Sequence, residues 1–104
     1  MTLEEFGAML ATVDPSTRHF ASGVRGAYTT WAEYGRTGGH GDGMDVGGWK
    51  VQVERYTTNE YDEIARKLYD KLQSLPNVAV DYLIDSETEG ESLTIRHLFD
   101  CEVW

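Results

Sequence analysis

The chain has 104 residues, with 18 acids against nine bases, a formal net charge of −9 and 40% hydrophobic residues. That length suits one domain with one modest core, and the composition is that of a globular chain rather than a disordered one. The charge disfavours phosphate-backbone binding and anionic membrane surfaces, which draw their affinity from lysine and arginine. It suits a basic protein partner, a passage through which DNA slides without sticking, or simple solubility. No window is apolar enough to span a bilayer, and the acidic start MTLEEF lacks the positive segment of a secretory signal. The single cysteine, Cys101, excludes an intrachain disulfide and suits folding in a reducing cytosol.

Leu3, Phe6, Leu10 and Val13 recur at helical spacing, with Thr2 and Glu5 placed as a capping box, so a helix is predicted from Leu3 to Val13. Asp14-Pro15 stops it, because the residue before proline resists the helical region. Ser16 to Arg25 reads as irregular and mildly basic. A first strand is predicted near Ala27 to Tyr34. A second, near Trp49 to Thr57, sets Trp49, Val51 and Val53 against Lys50, Gln52 and Glu54. Between them runs a loop from Gly35 to Gly48 with seven glycines. So long a loop between paired strands is uncommon without a function, and it reads as an arm that docks on a partner.

Tyr61, Ile64, Ala65, Leu68, Tyr69 and Leu72 form the apolar stripe of a second helix. Thr58 or Asn59 is its predicted N-cap, and Glu60, Asp62 and Glu63 fall where the helix dipole favours anions. Asp62 with Arg66, and Glu63 with Lys67, are spaced as i,i+4 pairs. Leu75-Pro76-Asn77 ends the helix. Val78 to Asp85 then alternates Val78, Val80, Tyr82 and Ile84 with Ala79, Asp81, Leu83 and Asp85. After a turn at SETEGES, a last strand from Leu93 to Val103 puts Leu93, Ile95, His97, Phe99, Cys101 and Val103 on one face. The order α-β-β-α-β-β predicts a single α+β domain over 1–104. Its form is a two-layer sandwich, with about four mostly antiparallel strands and two helices on one face. The second helix is long enough to act as a crossover, which would make the sheet mixed.

No catalytic constellation stands out. His40, Asp42 and Asp45 in GGHGDGMD are the closest approach to a metal site. They lack the run and closing glutamate of a calcium hand and hold one imidazole, so they read as polar loop residues and no metal or cofactor is expected. His97 and Cys101 share a strand face and could suggest a nucleophile pair. Their neighbours Ile95, Phe99 and Val103 make that face core. Trp31 falls with Thr29 and Glu33 on the polar side of the first strand, and Trp104 lies on the side of Arg96, Asp100 and Glu102. Large aromatics so placed serve either an interface or a covering role within the monomer.

The run TTWAEYG, the glycine-rich loop, VQVERYTTNEYDEIARKLYDKL and VDYLIDSETEGESLTIRHLFDCEVW together resemble the tail terminator or tail completion proteins of long-tailed bacteriophages. The similarity runs from about Tyr28 to the C-terminus. It rests on Trp31 and Tyr34, on Tyr56-Thr57, on Glu60 to Glu63, and on Phe99, Glu102 and Val103. It implies a non-enzymatic virion protein, assembled in the host cytoplasm, that caps the tail tube as a ring, usually hexameric. Its partners would be copies of itself, the tail tube protein and a head connector or head completion protein, with DNA passing through unbound and no membrane involved. For such a ring we place the subunit or tail contacts at Trp31, Arg36, His40, Asp42, Met44, Asp45 and Trp104. That placement comes from the loop and the exposed aromatics, not from the family. A neighbouring head-completion role, an acidic inhibitor of a basic host enzyme and, last, a small enzyme are the competing expectations.

Overall fold

The computed structural model describes residues 1–20, 26–37 and 47–104. A first helix, α1, spans Leu3–Val13 as predicted. The Thr2 hydroxyl accepts from the Glu5 N–H and the Glu5 carboxylate accepts from the Thr2 N–H, both at 3.0 Å, closing the capping box. At the other end the chain turns extended at Asp14, ahead of Pro15. Among the described residues five strands follow: β1 (Arg18–His19), β2 (Tyr28–Arg36), β3 (Trp49–Thr57), β4 (Val78–Glu89) and β5 (Ser92–Val103). A second helix, α2 (Glu63–Ser74), lies between β3 and β4.

The strands form one mixed sheet in the order β1-β2-β3-β5-β4. The architecture is α+β, with one strand more than the sequence predicts. The addition, β1, falls in the segment expected to be irregular; two residues are too few to show a periodicity. It pairs in parallel with β2, Arg18 opposite Thr30 and His19 opposite Trp31. The parallel pair is therefore not the one a crossover would create. α2 does carry the chain across the sheet, but β5 lies between β3 and β4, antiparallel to both.

Both helices cover the same face of the sheet. Phe6 and Leu10 of α1 and Leu68 and Leu72 of α2 are fully buried against Val51, Val53, Phe99 and Val103. Each such side chain contributes roughly 1.5–3 kcal/mol relative to staying exposed. Trp31 joins this core, which corrects its predicted place on the polar side of β2: its ring is only 7% exposed. The sequence hid the inward face because its other members are polar and satisfied internally. Thr29 donates to Asp14 at 2.8 Å, and Glu33 pairs with His19 at 2.7 Å.

The start of α2 also differs from expectation. Neither Thr58 nor Asn59 caps it; Asp62 does, accepting from the Ala65 N–H at 2.9 Å. Asp62 is consequently not paired with Arg66, which reaches Glu63 and Asp70 instead. Asp62 faces inward to Arg55 of β3 at 2.9 Å.

Most of SETEGES is strand, and its turn is confined to two residues. β4 continues to Glu89, and a two-residue turn at Gly90 and Glu91 leads into β5. Gly90 has φ +62°, as the first central residue of a type II′ hairpin requires. Because β3 stops opposite Ile95, the last part of this hairpin projects past the sheet. Leu93, expected on the core face, is 43% exposed for that reason.

Thr37 and Gly48 close the neck of the long loop, the Thr37 N–H donating to the Gly48 carbonyl and the Gly48 N–H to the Thr37 hydroxyl, each at 2.9 Å. A Cβ at Gly48 would lie 2.3 Å from the Val103 carbonyl oxygen. That obstacle is backbone and cannot rotate away. Gly48→Ala is expected to cost about 1–3 kcal/mol, read as a lower urea midpoint with unchanged slope.

Candidate functional site

The sequence points to the glycine-rich loop and two tryptophans. His40, Asp42, Met44 and Asp45, with most of the loop, lie outside the described residues. Arg36 and Trp104 are brought together at the loop's neck. The Arg36 guanidinium sits 4.3 Å over the Trp49 ring and donates to the Gly47 carbonyl at 3.1 Å. Trp104, half exposed, lines the same shallow depression as Arg36, Gly48 and Trp49. Trp31 is not part of it. It contacts Phe6 edge-on at 5.6 Å and stacks on His19 at 4.0 Å, beneath α1.

A second surface is the sheet face on which no described helix lies. Strand alternation brings Glu54 of β3, Asp81, Asp85, Glu87 and Glu89 of β4, and Asp100 and Glu102 of β5 to it, with Lys50 and Arg96 as the cations these strands add. Arg96 is held by Asp85 at 2.6 Å and Glu54 at 3.5 Å. Tyr56 stacks on Tyr28 at 4.8 Å and donates to Glu54; burial and that bond push its phenol up to about 12. At the other end Asp81 lies directly opposite Asp100. Tyr34 donates to Asp100 at 2.6 Å, which raises the Tyr34 phenol to about 12. Like charges placed opposite each other on a sheet repel; the cation at this end is Lys50, which lies opposite Glu102.

Beneath the helices, a polar knot ties four elements together. Arg55 of β3 pairs with Asp62 at the start of α2 and lies 3.5 Å from Asp14 at the end of α1, while Thr29 of β2 bridges to Asp14. Burial alone would raise both carboxyls. Hydrogen bonds from Ser16 and Thr29 to Asp14, and from Arg55 and the Ala65 N–H to Asp62, outweigh it with the Arg55 charge and hold both below the ordinary range.

His97 and Cys101 do not form a dyad. Four residues along one strand set them about 13 Å apart. The Cys101 thiol is pushed up to about 12 by burial and donates to the Phe99 carbonyl, so it stays protonated. His97 is neutral at pH 7 because burial lowers its pKa, and its Nδ1 meets the Tyr82 hydroxyl at 2.6 Å. No three His, Cys, Asp or Glu among the described residues are placed to hold a metal ion, and no described helix is long and apolar enough to cross a membrane.

Sequence reasoning does not single out the projecting hairpin or the outer edge of β4, which the fold leaves exposed. Their signal was present: Asp85, Glu87 and Glu89 alternate with Ser86 and Thr88, the period of a strand with one acidic face. Comparison with protein-family models and with curated proteins finds no match.

Proposed function

We infer that this chain is a non-catalytic virion assembly protein that caps the tail tube of a long-tailed bacteriophage and forms the tail-side joint to the head connector. It acts as a closed ring, with six subunits the number the resemblance implies. One observation supports this reading most: the fold is one-sided. Among the described residues, both helices shield one sheet face, while the other face, the loop neck with Arg36 and Trp104, and a hairpin arm are left for neighbours in a molecule 54 Å long and 25 Å wide. Contacts between unlike surfaces of identical subunits close into rings when the rotation allows. The mechanism is steric: a bound ring removes the site where the next tube subunit would add, and its acidic surface faces the DNA channel or a basic partner.

Deleting residues 38–46 is expected to leave the monomer folded and to abolish ring formation and tube capping. Native mass spectrometry across a wide concentration range reads the first effect, and tube length by electron microscopy, with tail tube protein polymerising alone or with this protein, reads the second. Unchecked tube growth beside the wild-type protein would overturn the reading. The acidic open face favours one alternative, an inhibitor of a basic enzyme, which would remain a monomer at every concentration and bind its target in a salt-sensitive way.

A further inference from the structure

The hairpin turn fixes which backbone groups of β4 are in use. In a two-residue hairpin the flanking residues, Glu89 and Ser92, exchange hydrogen bonds, and the ladder alternates from there. The odd-numbered residues of β4 therefore direct their N–H and C=O groups to β5. The Trp104 N–H donating to the Asn77 carbonyl at 3.0 Å continues the same alternation. Val80, Tyr82, Ile84, Ser86 and Thr88 turn theirs to the outer edge, where no described strand lies.

We propose that this edge is a strand-addition site for an extended partner segment that alternates basic residues with uncharged ones. An added strand places alternate side chains over the two faces of the sheet. On the open face they would meet Asp81, Asp85 and Glu87. On the helix side they would meet a pocket walled by Tyr61, Tyr69, Tyr82 and Ile84, in which Tyr61 is 84% and Ile84 61% exposed. His97 lines that pocket while only 2% exposed, and its Nε2 has no hydrogen-bond partner among the described residues. A buried ring nitrogen without a partner is costly, and a ligand group entering there can satisfy it. A second copy is the poorer occupant. Pairing two β4 strands edge to edge would set the acids of one against the acids of the other. The inference goes beyond the ring reading and stands or falls separately from it.

The test uses a fluorescein-labelled peptide of about nine residues, long enough at roughly 3.3 Å per residue to lie along Tyr82 to Thr88. It alternates lysine with threonine around one central leucine. A second peptide of the same sequence is N-methylated at alternate residues, which keeps the charges and removes the donors. We expect saturable binding by anisotropy, with amide shifts in NMR spectra at Tyr82, Ile84, Ser86 and Thr88. The N-methylated peptide should bind about tenfold or more weakly, as expected for losing a few hydrogen bonds. Ser86→Pro, which removes an edge donor but no ladder bond, should weaken the unmodified peptide similarly; Thr88→Pro, further out on the arm, is the second variant should the first fail to fold. Absence of binding, equal binding of both peptides, or binding untouched by the proline variants would overturn the proposal. So would self-association of the protein that the proline variants abolish.

Discussion

Arg55→Met is expected to destabilise the fold by about 3–5 kcal/mol, the range for removing one partner of a buried ion pair. That is a large share of the roughly 5–15 kcal/mol by which domains are stable. Methionine fills much of the space but leaves Asp14 and Asp62, both shielded from solvent, without their cation. The damage would spread because each acid also terminates a helix: Asp14 ends α1 and Asp62 caps α2. The pH dependence separates lost charge from lost packing. In the wild type both carboxyls titrate below their ordinary value of 3.8, so their contribution is complete above that pH and fades as pH falls through the lowered folded values. In the variant Asp62 loses the Arg55 hydrogen bond that most opposes its burial, so its folded pKa rises, while Asp14 keeps its bonds from Ser16 and Thr29; protonation of Asp62 then relieves the strain and the deficit shrinks on acidification. Urea unfolding at pH 7 and at about pH 4.5 reads this, with the difference between variant and wild type smaller at the lower pH. A deficit equal at both would mean that Arg55 acts by packing alone.

The same residues explain what the sequence could and could not show. α1 was legible to the residue because its signals are local: a capping box, an apolar spacing and a proline. The inward rows of β3 and β5 were legible where apolar residues alternate. Asp62 was not identifiable as the cap, since Thr58, Asn59 and Asp62 are all good caps locally, and the choice depends on Arg55 in a strand seven residues upstream. Trp31 reads as a polar-side residue because its row is Thr29, Trp31, Glu33. Nothing in that row announces that Asp14 and His19 satisfy the polar members. The acid-rich SETEGES resembled a turn by composition, although its period of two was that of a strand. Of the candidate interface residues, Arg36 and Trp104 meet at the loop neck because β2 and β5 end there on either side of Trp49. No spacing in the sequence encodes that meeting.

Trp31→Ala is expected to cost about 3–5 kcal/mol of stability, as for a large aromatic removed from a core. The ring is wedged between Phe6 and His19, and α1 comes so close at Gly7 that a Cβ there would sit 2.7 Å from the indole. The helix has settled onto the ring, so truncation leaves a cavity that rigid neighbours cannot fill by small shifts. A lower urea midpoint with unchanged slope is the expected readout. Trp104→Ala supplies the contrast. Its side chain is half exposed, so stability should stay within about 0.5 kcal/mol of wild type, while ring formation weakens if the loop neck is a subunit contact. The opposite pattern, with Trp31→Ala stable but unable to assemble, would return Trp31 to the interface and require α1 to lift from the sheet. Trp31→Phe decides the intermediate case: it keeps the edge contact with Phe6 and much of the volume, and should recover a substantial part of the lost stability if packing is the cause.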